Sequence, residues 1–129
     1  MVSLVLFLKI MLNWICADLS TPEDAVEKVK VAVKDEKIDV LIYNVGIWEN
    51  NAFTENYNFE EVSSAELNTI LNTNINTSIQ SLQSLIENLK LSDNAKVILI
   101  GSTWGVDNHN GKELVFSATK YALRGIAQS

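Results

Sequence analysis

The chain has 129 residues and a mass of 14.4 kDa, which fits one domain with little room for a second. A hydrophobic share of 47% can fill a core, and 20% charged residues with a single proline argue against disorder. The net charge of −6 and the pI near 4.7 come with ten basic residues that do not cluster. This argues against nucleic acid as a partner, because neutralising phosphates needs massed Lys and Arg.

One cysteine, Cys16, excludes an intramolecular disulfide, and with the distant His109 it cannot build a zinc site of Cys/His type. That usage suits a reducing compartment, and the cytoplasm is the expected location.

Val2 to Leu8 is an apolar run continued by Lys9, Ile10, Met11 and Leu12. It falls short of the roughly twenty apolar residues of a membrane span, and Lys9 interrupts it. A secretory signal would begin with basic residues and end on small ones, whereas Trp14-Ile15-Cys16 is bulky. A buried strand or two is the expectation here, with a membrane anchor the minority alternative. Trp14 to Ala17 reads as a short strand stopping at Asp18, with Cys16 a small buried residue.

Thr21-Pro22-Glu23-Asp24 marks a helix start: Thr21 can cap, Pro22 suits the first helical position, and the acids face the positive end of the dipole. Val26, Val29 and Val33 share one face of this helix, which ends in Lys34 to Lys37. Ile38 to Tyr43 is too continuously apolar for a strand with one wet face and reads as part of a covered parallel sheet. It runs into Asn44-Val45-Gly46, and the Asn-rich stretch from Glu49 to Asn58 reads as loop.

Ser63 and Glu66 form a capping box that opens the longest helix, Ser64 to Lys90. Its apolar stripe runs through Leu67, Leu71, Ile75, Ile79, Leu82, Ile86 and Leu89. Val97 to Ile100 is another buried-type strand broken by Gly101-Ser102, and a final helix begins near Leu114. Alternating strands and helices predict an α/β fold: right-handed crossovers and a parallel sheet with helices on both faces, a three-layer α/β/α arrangement. Ligands of such sheets sit beyond the carboxyl ends of the strands, which here are Asp18, Asn44 to Gly46, and Ser102.

Those positions carry a family resemblance. Asp18-Leu19, Tyr43-Asn44-Val45-Gly46, Thr73-Asn74-Ile75 and Gly101-Ser102-Thr103-Trp104-Gly105 lie at family-like distances before the string from Phe116 to Gly125. Together they resemble the short-chain dehydrogenases/reductases, the Rossmann-type NAD(P)-dependent oxidoreductases, over roughly Cys16 to the C-terminus. The resemblance implies a single, incomplete NAD(P)-binding domain over residues 1–129 and ancestral hydride transfer between cofactor and a small carbonyl or alcohol.

It implies that Asp18 and Leu19 meet the adenine, that Asn44, Val45 and Gly46 form the cofactor turn, and that Lys120 reaches the ribose. Asn74 would order a water, Ser102 would donate to the reacting oxygen, and Phe116 stands where the family carries its catalytic tyrosine. Plain readings stand beside these roles: Asp18 as a helix-flanking carboxylate, Asn44 and Gly46 as turn formers tolerant of positive φ, and Asn74 as part of a polar helix face.

Two departures matter. Phenylalanine has no proton to exchange, and Tyr121 points about 100° away around the helix. The glycine-rich phosphate fingerprint is missing, so weak dinucleotide binding and little turnover are expected. The helices Ser64–Lys90 and Phe116–Gln128 are candidates for a homo-oligomer contact, and an open sheet edge predicts marginal stability or association. A non-catalytic interaction module and a partial product of a longer reading frame are the alternatives.

Overall fold

The structure, a computed structural model, describes residues 13–107 and 110–129. The apolar run Val2–Leu8 and His109 lie outside the described residues. Two strands, β1 (Val40–Tyr43) and β2 (Lys96–Leu99), pair in parallel with Val40 opposite Lys96 and Tyr43 opposite Leu99. The ladder extends to Ile100, whose N–H donates to the Tyr43 carbonyl. Parallel neighbours need a crossover, and it is supplied by a helical rod in three parts. These are α2 (Ser64–Leu71), a π-helical turn (Asn72–Asn76) and α3 (Thr77–Lys90). Helix α1 (Pro22–Val33) precedes β1 and lies along α3, while α4 (Leu114–Gln128) follows a 3₁₀ turn at Thr103–Gly105.

The partial Rossmann-type α/β architecture and the parallel sheet are as the sequence predicts. The expected strand at Trp14–Ala17 does not form: neither described strand pairs with it. Among the described residues the segment has no ladder partner, and Trp14 is 90% exposed and Cys16 is exposed rather than buried. Thr21 precedes α1, but its hydroxyl donates back to the Asp18 carbonyl instead of capping the helix.

The Tyr43 side chain meets the helical rod, its hydroxyl donating to the Thr73 carbonyl. Val40, Ile42 and Ile98, which alternate onto the other face, are exposed, Ile42 at 58%. That half of the sheet surface is uncovered among the described residues.

The long helix departs most from its reading. Ser63 Oγ accepts from the Glu66 N–H at 3.2 Å, as a capping box requires, but the Glu66 carboxylate turns away to the Asn50 N–H. The face turned inward is Ile70, Thr73, Asn74, Thr77, Ser78, Leu85, Asn88 and Leu89. Much of the apolar stripe points outward instead, with Leu71, Ile79 and Ile86 exposed.

The reason is visible in the hydrogen bonds. The inward polar groups find backbone partners that aliphatic side chains could not serve: Thr77 Oγ1 donates to the Leu19 carbonyl, and Asn88 Nδ2 donates to those of Lys34 and Glu36.

Burial pushes the Tyr43 phenol from 10.0 up to about 12. Folding therefore favours its neutral form, and this contribution to stability is complete below pH 10. It is lost as the pH climbs from 10 towards 12. The urea midpoint followed by circular dichroism should fall through that window, and Tyr43→Phe should flatten the fall.

Candidate functional site

The carboxyl ends of β1 and β2 open into a hollow of about 270 Å³. Asn44, Val45 and Gly46 line it from the segment after β1, Ile100, Gly101 and Ser102 from that after β2, and Phe116 and Lys120 from α4. One turn of α4 separates Phe116 from Lys120, so both reach the hollow from the same helix face.

Lys120 is buried, and its ammonium donates to the Val45 carbonyl at 3.2 Å and the Ile100 carbonyl at 3.3 Å. One cation thus ties together the ends of both strands. Burial pulls its pKa below the ordinary lysine value.

Gly46 is required by this lysine rather than by its own dihedrals, since no described glycine has positive φ. A Cβ there would stand 2.7 Å from Lys120 Nζ, so any side chain would displace the ammonium. Ser102 Oγ accepts from the Trp104 N–H at 3.2 Å, which occupies a lone pair and leaves the hydroxyl proton to donate. A larger apolar cavity, about 480 Å³, lies between β2 and α4 and shares Ser102 and Lys120 with the hollow.

Asn74 does not line the hollow. It is 1% exposed and lies beneath the segment after β1, where its amide holds the Ile47 peptide on both sides. Oδ1 accepts from Ile47 N–H at 2.9 Å, while Nδ2 donates to the Ile47 carbonyl at 2.8 Å and to Thr119 Oγ1 at 2.9 Å. Thr119 in turn donates to the Phe116 carbonyl. Asn74 thereby links the floor of the hollow to α4 from within the π turn.

Asp18 and Leu19 are not among the lining residues either. The Asp18 carboxylate is taken up by the N–H and hydroxyl of Ser20, which hold its pKa below the usual carboxylate range. The Leu19 carbonyl is bound by Thr77. Among the described residues, no group of three acidic, His or Cys side chains could hold a metal ion.

Sequence reading missed the acid that fastens α4. Glu49, placed in a polar loop, is 1% exposed. Its Oε1 accepts from the N–H groups of Val115 (2.8 Å) and Phe116 (3.3 Å) and from the Tyr57 hydroxyl (3.2 Å). A carboxylate at a helix N-terminus satisfies its free donors and opposes its dipole. The acid lies 65 residues before the helix it caps, so no local pattern marks it. Burial and the adjacent Glu49 carboxylate push Tyr57 up to about 12.

These features define a Rossmann-type α/β protein with a hollow at its strand ends. The family model for short chain dehydrogenase matches residues 9–129, and the chain belongs to that family. Among solved structures it is similar to a short chain dehydrogenase from Shigella flexneri (19% identity, TM-score 0.68). It also resembles ElxO with NADP bound (21%, 0.66) and a blue fluorescent protein from a metagenomic library in complex with NADPH (26%, 0.67). Each alignment covers 85% of this chain and 42% of the other, so the chain spans less than half the length of these relatives. No curated protein sequence matches it.

Proposed function

We propose that this chain is an NAD(P)-binding domain of the short-chain dehydrogenase type, a single incomplete unit that has lost most of its hydride-transfer chemistry. The observation that carries this reading is the buried Lys120 ammonium, joined to both strand ends and facing a hollow shared with Ser102 and Asn44 to Gly46.

When bound, NAD or NADP would supply the hydride. Lys120 would hold the ribose hydroxyls, Ser102 would donate to the oxygen of a small carbonyl or alcohol, and Asn74 would keep the floor in place. Phe116 offers no proton at the position that should exchange one. The two glycines that line the hollow, Gly46 and Gly101, come from separate segments and do not make a glycine-rich phosphate turn. Asp18, engaged by Ser20, would need to release that partner to meet an adenine. The cytoplasm is the proposed location; among the described residues no helix is long and apolar enough to cross a membrane.

Titration with NADPH by calorimetry tests the reading. Saturable binding with a Kd on the order of 100 µM is expected, and Gly46→Ala should weaken it about tenfold by displacing Lys120. Absence of saturable binding at millimolar NADPH would overturn the proposal.

A second reading is favoured by the outward stripe on α2 and α3, where Leu71, Ile79 and Ile86 are exposed on one rod. Such a surface is suited to a second copy of the chain. Light scattering should find a dimer, and Ile79→Lys should shift it to monomer.

A further inference from the structure

Three aromatic rings surround Phe116, which stands where the family places its acid–base group. Phe116 is met edge-on by Phe53, with centroids 5.8 Å apart, and by Trp48 at 6.0 Å, with Trp104 tilted against it at 6.3 Å. Phe53 also packs edge-to-face on Trp104 at 5.1 Å and on Trp48 at 5.7 Å.

This cluster is not ordinary core. Trp48 and Phe53 remain about half exposed although they touch buried Phe116, and Trp48 and Phe116 both line the hollow. Phe53 is moreover held at φ 63°, a left-handed conformation that a bulky residue adopts at a cost. What holds it is a buried acid at the start of α4: Glu113 Oε1 accepts the Phe53 N–H at 2.6 Å. A strained backbone, fastened by a buried carboxylate, thus keeps an aromatic ring packed behind Trp48 and Phe116, the two aromatic walls of the hollow.

The polar side of the hollow is sparing. Lys120 directs two of its three N–H donors to backbone carbonyls, and the Ser102 hydroxyl, whose lone pair is taken by the Trp104 N–H, is a neutral donor placed to meet a ligand oxygen. We infer that the hollow binds a flat, ring-bearing ketone or alcohol, its ring lying on Trp48 and Phe116 and its oxygen taken by Ser102. Rigid aromatic walls favour flat ligands over flexible chains, because face and edge contacts reward planarity and the walls lose no freedom on binding. The inference rests on the reading of this hollow as the ligand end of a dinucleotide crevice, and it specifies the class of compound taken there.

The three tryptophans give three indole N–H signals in a heteronuclear spectrum, and Trp14, exposed and outside the site, serves as internal reference. The probes are 1-tetralone, a flat bicyclic ketone, and 2-decanone, an open-chain ketone of equal carbon number and greater hydrophobicity. Tetralone should move the Trp48 signal saturably, leave Trp14 in place, and bind at least about tenfold more tightly than decanone. Phe53→Leu, which keeps apolar volume but removes the ring, should abolish most of that preference. Ser102→Ala should weaken both ketones alike.

Decanone binding as tightly as tetralone, or Trp14 shifting together with Trp48, would overturn the inference. A parallel NADPH titration separates the two readings. Nucleotide binding without ketone preference removes this inference alone, whereas ketone preference without nucleotide binding retains it and removes the dinucleotide proposal.

Discussion

Replacing Phe116 with tyrosine is expected to raise NADPH-dependent ketone reduction by about 10²–10⁴-fold over the unmodified chain, the range that one positioned acid–base group contributes. The ring already lines the hollow beside Ser102 and Lys120, and Lys120 Nζ stands 5.7 Å from its centroid. A hydroxyl on that ring would enter a site where a nearby ammonium favours phenolate, lowering a pKa that is near 10 in water. Phe116→Leu is the control and should gain nothing. The decay of NADPH absorbance with 1-tetralone present measures the effect. If the tyrosine and phenylalanine proteins turned over equally, Phe116 would not be the step at which the chemistry fails.

Removing the Glu49 carboxylate should cost the fold about 3 kcal/mol, read from the denaturation midpoint of Glu49→Ala. Three donors lose their acceptor in that variant: the N–H groups of Val115 and Phe116 and the Tyr57 hydroxyl. The loss is held below their full sum because one carboxylate oxygen, Oε2, is buried without a partner and its desolvation is relieved. Glu49→Gln keeps an acceptor for the helix end and should lose about 1 kcal/mol. The same variant should bring the Tyr57 phenol down from about 12, since the carboxylate is one cause of its elevation. A neutral effect of Glu49→Ala would mean that water serves α4 equally well.

How much of this was legible depended on whether the signal was local. Pro22 at the head of α1, Ser63 at the head of α2 and the apolar runs of β1 and β2 declare themselves within a few residues, and the structure forms all of them. The spacing of Asn44, Ser102, Phe116 and Lys120 was readable as a family pattern, and these residues share one hollow.

What escaped was set by distant partners. Trp14–Ala17 has strand composition but no ladder to join among the described residues. The aliphatic stripe of the long rod predicts a buried face, yet Asn74, Thr77 and Asn88 turn inward because backbone groups from remote loops need them. Phe53 carries no mark of positive φ, which the Glu113 carboxylate imposes from 60 residues away.

The π turn at Asn72–Asn76 has a mechanical meaning. Each residue advances a regular helix by about 100°, so one extra residue wound into the rod sets α3 out of phase with α2 by that angle. The first half can then serve the loop beneath the hollow while the second serves α1, two neighbours that a uniform rod could not face together. Excising a single residue there would re-index every side chain from Thr77 to Lys90, turning the Thr77 hydroxyl off Leu19 and the Asn88 amide off the end of α1. Length, at this point in the chain, is a stricter inheritance than residue identity.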